Sequence, residues 1–243
     1  MTFINEFKNK SLSGNTIKII AIIAMIIDHV GWAFVSTNSI GATVMHTIGK
    51  ITGPIMCYFI AEGNHYSKNK RKYVERLAIF ALISHIPYNI FVNKGTITLL
   101  PTSVIFTLMC GLLALIVFEN IENNLLKNGL ILFLIAITYW SDWAIYGVLF
   151  ILGFGMFYGD KRKQISTFIF LSFCKLLDAC LGAGFLNFYV NIPRIISPIL
   201  VILLILLYNG TKGGTKYSKW AFYIIYPLQF LIIGGIALLF GRA

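Results

Sequence analysis

The chain has 243 residues, 58% hydrophobic and 12% charged, with a mean hydropathy of +0.80 and a formal net charge of +11. It is far more apolar than an average globular domain and reads as an all-α, polytopic membrane protein. No stretch between the apolar runs is long enough to build a separate core, so residues 1–243 read as one membrane domain. The positive charges fall in short loops, which excludes a nucleic-acid partner and fits topology setting beside lipid head groups.

The first sixteen residues, MTFINEFKNKSLSGNT, are too polar and too long to open a cleavable signal, so the first apolar run is expected to stay as a helix. Crossing ~30 Å of hydrocarbon takes runs of about 16 to 22 apolar residues. Nine such spans are expected near 17–35, 47–61, 77–92, 97–118, 130–140, 143–158, 165–180, 195–208 and 220–240. The fifth is short and the second carries Gly53-Pro54, which leaves eight or ten as alternatives.

With the amino terminus inside, the inner segments hold Lys8, Lys10, Lys68, Lys70, Arg71, Lys72, Lys127, Lys161, Arg162, Lys163, Lys212, Lys216 and Lys219. The outer segments hold little more than Lys94 and Arg242. The asymmetry predicts amino terminus in and carboxyl terminus out. Trp32, Trp140, Trp143 and Trp220 fall near span ends, as an aromatic belt would place them. Cys57, Cys110, Cys174 and Cys180 all lie in apolar runs without CxxC or histidine at metal-ligand spacing, so they read as packing residues and no metal site is expected. HExxH, GxSxG, Walker A and GxGxxG motifs are absent. The second half shows no repeat of the first, which weakens an inverted-repeat transporter. The isoleucine, lysine and asparagine bias suggests an AT-rich bacterial genome, and hence the bacterial cytoplasmic membrane.

The informative residues are the polar ones that hydropathy would exclude. Asp28 and His29 lie inside IKIIAIIAMIIDHVGWAF, where a charge costs at least ~2.5 kcal/mol, so they read as lining a protein-walled site. The bland alternative is a polar contact between helices. Lys18 lies eleven residues before His29, three helical turns away on the same face and roughly 16 Å toward the inner surface. Asp28 is about 100° round the helix from His29, so its partner is expected on another span, with Lys50 as the candidate. Glu62 closes the second span near Lys68 to Lys72 and Arg76, where interfacial residues are common.

On the third span Ser84, His85, Pro87, Tyr88 and Asn89 cluster where a proline needs a protein-lined or wet surrounding. His46 and His65 are expected in loops and carry little weight. Asp142 tips the turn between the fifth and sixth spans, and Asp178 is similarly interfacial. Tyr208-Asn209-Gly210 closes the eighth span as a helix stop. Tyr223 and Tyr226 share a face of the ninth and can stack on a ligand or simply pack.

Seven ordered segments resemble the conjugal-transfer pilin acetylase family, TraX, over most of the chain: LSGNTIKIIAIIAMIIDHVG, IGKITGPIMCYFIAEG, KYVERLAIFALISHIPYN, IFTLMCGLLAL, DWAIYG, LLYNGTKG and FYIIYPLQ. The resemblance implies an integral membrane acyltransferase that takes an acetyl or other acyl group from acyl-coenzyme A. The acceptor would be an amine or hydroxyl of a peptide, protein or sugar. The Lys18 to His29 spacing is similar to the basic residue and histidine of the wider membrane acyltransferase-3 group. It implies His29 as general base beside Asp28, with Lys18 and Arg76 on coenzyme A phosphates. Further co-substrate contacts would come from Lys50, Glu62, Tyr208, Asn209, Tyr223 and Tyr226.

The chain departs from that pattern at Lys50 and Thr52-Gly53-Pro54-Ile55, where the family usually has arginine and Ala-Phe-Pro-Ile. Asp142 to Gly147 spread its usual Asp-Tyr-Gly, and Gln229 stands for its usual histidine, so position 229 is no base. Two other readings stay open: a proton-coupled transporter or flippase using Asp28, His29 and Glu62, and an export scaffold in which the buried charges are helix glue. The sequence carries no signature of oligomeric state.

Overall fold

A chain in hydrocarbon must satisfy its backbone internally, and helices do this segment by segment. The structure, a computed structural model, describes residues 11–184, 186–215 and 218–241. Lys8, Lys10, Lys216 and Arg242, counted above for orientation, lie outside the described residues. Among the described residues ten helices follow one another: α1 (Gly14–Phe34), α2 (Ile40–Gly49), α3 (Thr52–Tyr66), α4 (Lys70–Val92), α5 (Val104–Asn120), α6 (Asn124–Ile137), α7 (Ala144–Met156), α8 (Lys161–Ala183), α9 (Phe188–Leu207) and α10 (Ser218–Leu239).

Each expected span is met by helix, but the second is two pieces. Gly49 ends α2, the Lys50 amide still reaches His46 O, and α3 restarts at Thr52. Pro54 is then the third residue of α3, in the first turn, where its missing N–H breaks no helical bond. Among the described residues four stretches are long and apolar enough to cross a membrane: Gly14–Phe34, Lys161–Gly182, Phe188–Leu207 and Trp220–Leu239. Val104–Asn120, Asn124–Ile137 and Ala144–Met156 are apolar but shorter. α4 falls outside both groups because its first turns, KRKYVER, are charged.

The chain divides into two compact units. One comprises Met1–Ile55 and Leu176–Tyr226, the other Met56–Lys175 and Pro227–Ala243. In the first, α2 packs against both α1 and α9. α1 buries Ile17, Ala21, Ala24 and Met25 and leaves Ile19, Ile23 and Ile26 outward at positions i, i+4 and i+7, an apolar stripe suited to lipid. Ser13 caps α1 by accepting from Thr16 N, and the buried Thr52 hydroxyl donates to Ala21 O at 2.8 Å.

In the second unit α5 packs against α4, α6 and α7. Tyr58, Phe150, Phe154 and Phe168 form its aromatic core, with ring centroids 5.2 Å apart for Tyr58 and Phe154. Asn64 Nδ2 and Lys70 Nζ both donate to the Glu119 carboxylate, tying the ends of α3, α4 and α5 together. The four cysteines are free thiols, three of them buried, as packing residues should be.

Candidate active site in the first unit

α1 and α2 meet at a very close approach. A Cβ built on Gly49 would lie 2.1 Å from Asp28 Cβ, so only glycine lets the two backbones come this near. The approach brings Asp28 Oδ1 to 2.7 Å from His46 Nδ1, and the histidine donates. At that length the bond is charge-assisted. Trp32, one turn after Asp28, lays its indole over the His46 ring with centroids 4.4 Å apart. His46 is thereby fixed on one nitrogen and one face.

Two expectations are corrected here. His46 is not a loop residue: Ser39 accepts from Ala42 N and starts a helix at Ile40, which carries His46 in its last turn. Asp28 finds its partner His46 on α2, delivered by the helical turn that ends at the C-cap Lys50. His65 is likewise helical, in the last turn of α3, with its ring stacked on Tyr158 at 3.8 Å.

The His46 side chain is 7% exposed and that of Asp28 17%. His46 Nε2 is buried with no hydrogen-bond partner among the described residues. His29 follows Asp28 on α1 and is half-buried, as is Lys18 near the start of the helix. The sequence reading also passed over Arg194, which sits on α9, the other helix against α2, and donates from Nη1 to Val190 O.

Tyr208 and Asn209 meet the amino-terminal end of α1. Leu12 N donates to Leu207 O, Asn209 N to Leu12 O, Gly14 N to Thr211 O and Asn15 N to Lys212 O. Asn209 Oδ1 in turn accepts from Thr211 N and its hydroxyl. Gly213, at φ +60°, passes so close to Ser13 that a Cβ there would lie 2.3 Å from its Oγ. The first amides of α1 are thus occupied, so an anion at this end would be held by the Lys18 and Lys212 side chains, not by the helix terminus. Tyr223 and Tyr226 are buried in α10, packed on Trp220 and Phe222.

The remaining expected residues belong to the second unit. Glu62 is buried in α3, and Arg76 lies on α4 with its guanidinium 5.5 Å from the Tyr73 ring centroid. The His85 cluster is a structural knot. Buried Asn89 Oδ1 accepts from Thr98 N, Thr98 Oγ1 and Asn93 Nδ2, while His85 Nε2 bonds Thr98 O. Gln229 is buried with both amide atoms unpartnered among the described residues. Lys175, unremarked in the sequence, rests 3.5 Å from the Trp143 ring centroid. No cluster of three or more potential metal ligands occurs among the described residues.

The fold and this site define a helical membrane protein with a carboxylate–imidazole pair held between two helices. The chain belongs to the TraX family: the model for "TraX protein" matches residues 13–237. It is 29% identical to the probable fimbrial assembly protein FimC, serogroup H1, of Dichelobacter nodosus over 239 residues, covering 93% of this chain and 96% of that one. It is 30% identical to an uncharacterized protein of Rickettsia prowazekii over 169 residues, 67% of this chain and 63% of the relative. No solved structure matches it.

Proposed function

We propose that the protein is an acyltransferase of the bacterial cytoplasmic membrane, moving an acetyl or other acyl group from acyl-coenzyme A to an acceptor amine or hydroxyl. The acceptor is a peptide or protein amino terminus in the first instance, a sugar in the second. Family membership supports the class, and the similarity to a protein named for fimbrial assembly supports a pilin-like acceptor.

The observation that carries the chemistry is the Asp28–His46 bond beside His29, within a long apolar helix. Acyl transfer needs a base for the acceptor, and an imidazole with an ordinary pKa near 6.5 suits that role. His29 takes it, as the resemblance implies. Lys18, roughly 16 Å along α1, is spaced to hold the phosphates while a pantetheine arm reaches the histidine. The chemistry proposed rests on the first unit alone.

The test is release of free coenzyme A from acetyl-coenzyme A by purified protein in detergent, wild type beside His29→Ala, with tight binding recorded in the same run. Turnover that falls ~10² to 10⁴-fold in a folded His29→Ala variant supports the base assignment. Turnover intact in that variant removes His29 from the role. Neither turnover nor binding by folded wild-type protein overturns the class and favours proton-coupled transport.

A further inference from the structure

The acyl-transfer reading gives the base role to His29 and leaves His46 without a role of its own. His46 is nine-tenths buried, donates from Nδ1 to Asp28, lies against the Trp32 indole and sits where glycine at positions 31 and 49 lets α1 and α2 pack closely. A neighbouring carboxylate and an aromatic face both stabilise an imidazolium. In that state Nε2 carries a proton that no described residue accepts. A rigid, cationic donor in a place that excludes water is what a developing oxyanion requires.

We propose that His46, held in place by Asp28, is a second catalytic residue: its Nε2–H hydrogen-bonds the thioester oxygen as that oxygen gains charge. The inference rests on the acyl-transfer reading above. The acceptor nitrogen or oxygen attacks the carbonyl carbon, a C–N or C–O bond forms, and the carbonyl electron pair moves to the oxygen facing His46. His29 takes the acceptor's proton. When the pair returns, the C–S bond breaks, its electrons leave on the coenzyme A sulfur, and that sulfur collects the proton from His29. His46 keeps its own proton throughout.

The experiment measures coenzyme A release from acetyl-coenzyme A, with water as the acceptor. It compares wild type, His46→Arg, His46→Gln and the double variant Asp28→Asn/His46→Gln, each checked for folding by thermal unfolding in the same detergent. The double variant retains an uncharged hydrogen-bonding pair, so it stands in for His46→Gln where that variant unfolds. Expected are a loss of about 10² to 10³ in kcat without the charged donor, as for removal of an oxyanion-hole group, with KM for acetyl-coenzyme A little changed. His46→Arg should keep activity. Wild-type kcat in the folded double variant would reduce the pair to a structural contact and overturn the proposal. A folded His46→Arg as inactive as His46→Gln would make His46 a proton carrier and overturn it equally. Wild type that neither binds nor turns over acetyl-coenzyme A would sink the acyl-transfer reading first; turnover by wild type with either overturning result would sink this inference alone.

Discussion

Asp28 Cβ occupies the space into which a side chain at Gly49 would grow, 2.1 Å from the position of its first carbon. Asp28 Cβ is attached directly to the α1 backbone, so it cannot rotate aside, and a Gly49→Ala substitution must push the helices apart. Overpacking of this kind costs about 1 to 3 kcal/mol. The same displacement lengthens the Asp28–His46 bond. Gly49→Ala should therefore lower the unfolding temperature in detergent and, in the fraction that remains folded, reduce coenzyme A release. A variant as stable and active as wild type would show that the two helices do not need this approach.

Lys18 lies on the His29 face of α1, and the amides at the helix start are already bonded to residues 211 and 212. The helix terminus therefore has no amide left for a phosphate there, and the proposed function gives that contact to the Lys18 ammonium. A charged hydrogen bond contributes about 1.5 to 3 kcal/mol. Lys18→Gln should raise KM for acetyl-coenzyme A by roughly ten- to a hundredfold with kcat nearly unchanged, since phosphate binding is shared by ground and transition states. Lys18→Arg should restore most of the affinity. An unchanged KM in Lys18→Gln would reduce Lys18 to a residue that sets topology.

Hydropathy located the helices because lipid exposure demands long apolar runs, and it flagged Asp28 and His29 because they break one. It missed His46 because GATVMHTIGK is too mixed to score as a span. The signal that finds this helix is local: a serine cap at Ser39 and a glycine stop at Gly49. The pairing itself lies beyond any one-dimensional pattern. Charge complementarity nominated Lys50 for Asp28, and the crossing of α1 and α2 adds His46, to which no charge pattern points. Around His85 the sequence showed only a polar cluster, and the structure shows those residues bonded to one another and to the segment that follows.

Asn89 holds the segment after α4 by accepting three hydrogen bonds while its own amide donates to His85 O. Asn89→Ala would leave those donors to compete for weaker partners, at about 1 to 3 kcal/mol. The expected result is a lower unfolding temperature and faster proteolytic cleavage between residues 93 and 101, with KM for acetyl-coenzyme A unaltered in folded protein. A selective loss of turnover at unchanged stability would return this cluster to the list of functional candidates.

Asp160 begins α8 by accepting from Arg162 N and Lys163 N, with Lys163 Nζ 3.4 Å from its other oxygen. The Lys163 amide first, then that side chain's bond and charge, hold its carboxyl below the ordinary value of 3.8. A depressed folded-state value means the stabilisation is complete above the unfolded pKa and disappears as pH falls through the lowered folded one. The first turn of α8 should thus be fully capped at neutral pH and fray only in strong acid. Asp160→Asn keeps an acceptor oxygen for the cap and removes the charge, so it should abolish this acid-dependent part alone. Hydrogen exchange of the α8 amides between pH 2 and pH 5 reads the difference, and identical acid fraying in Asp160→Asn and wild type would show that another group titrates there.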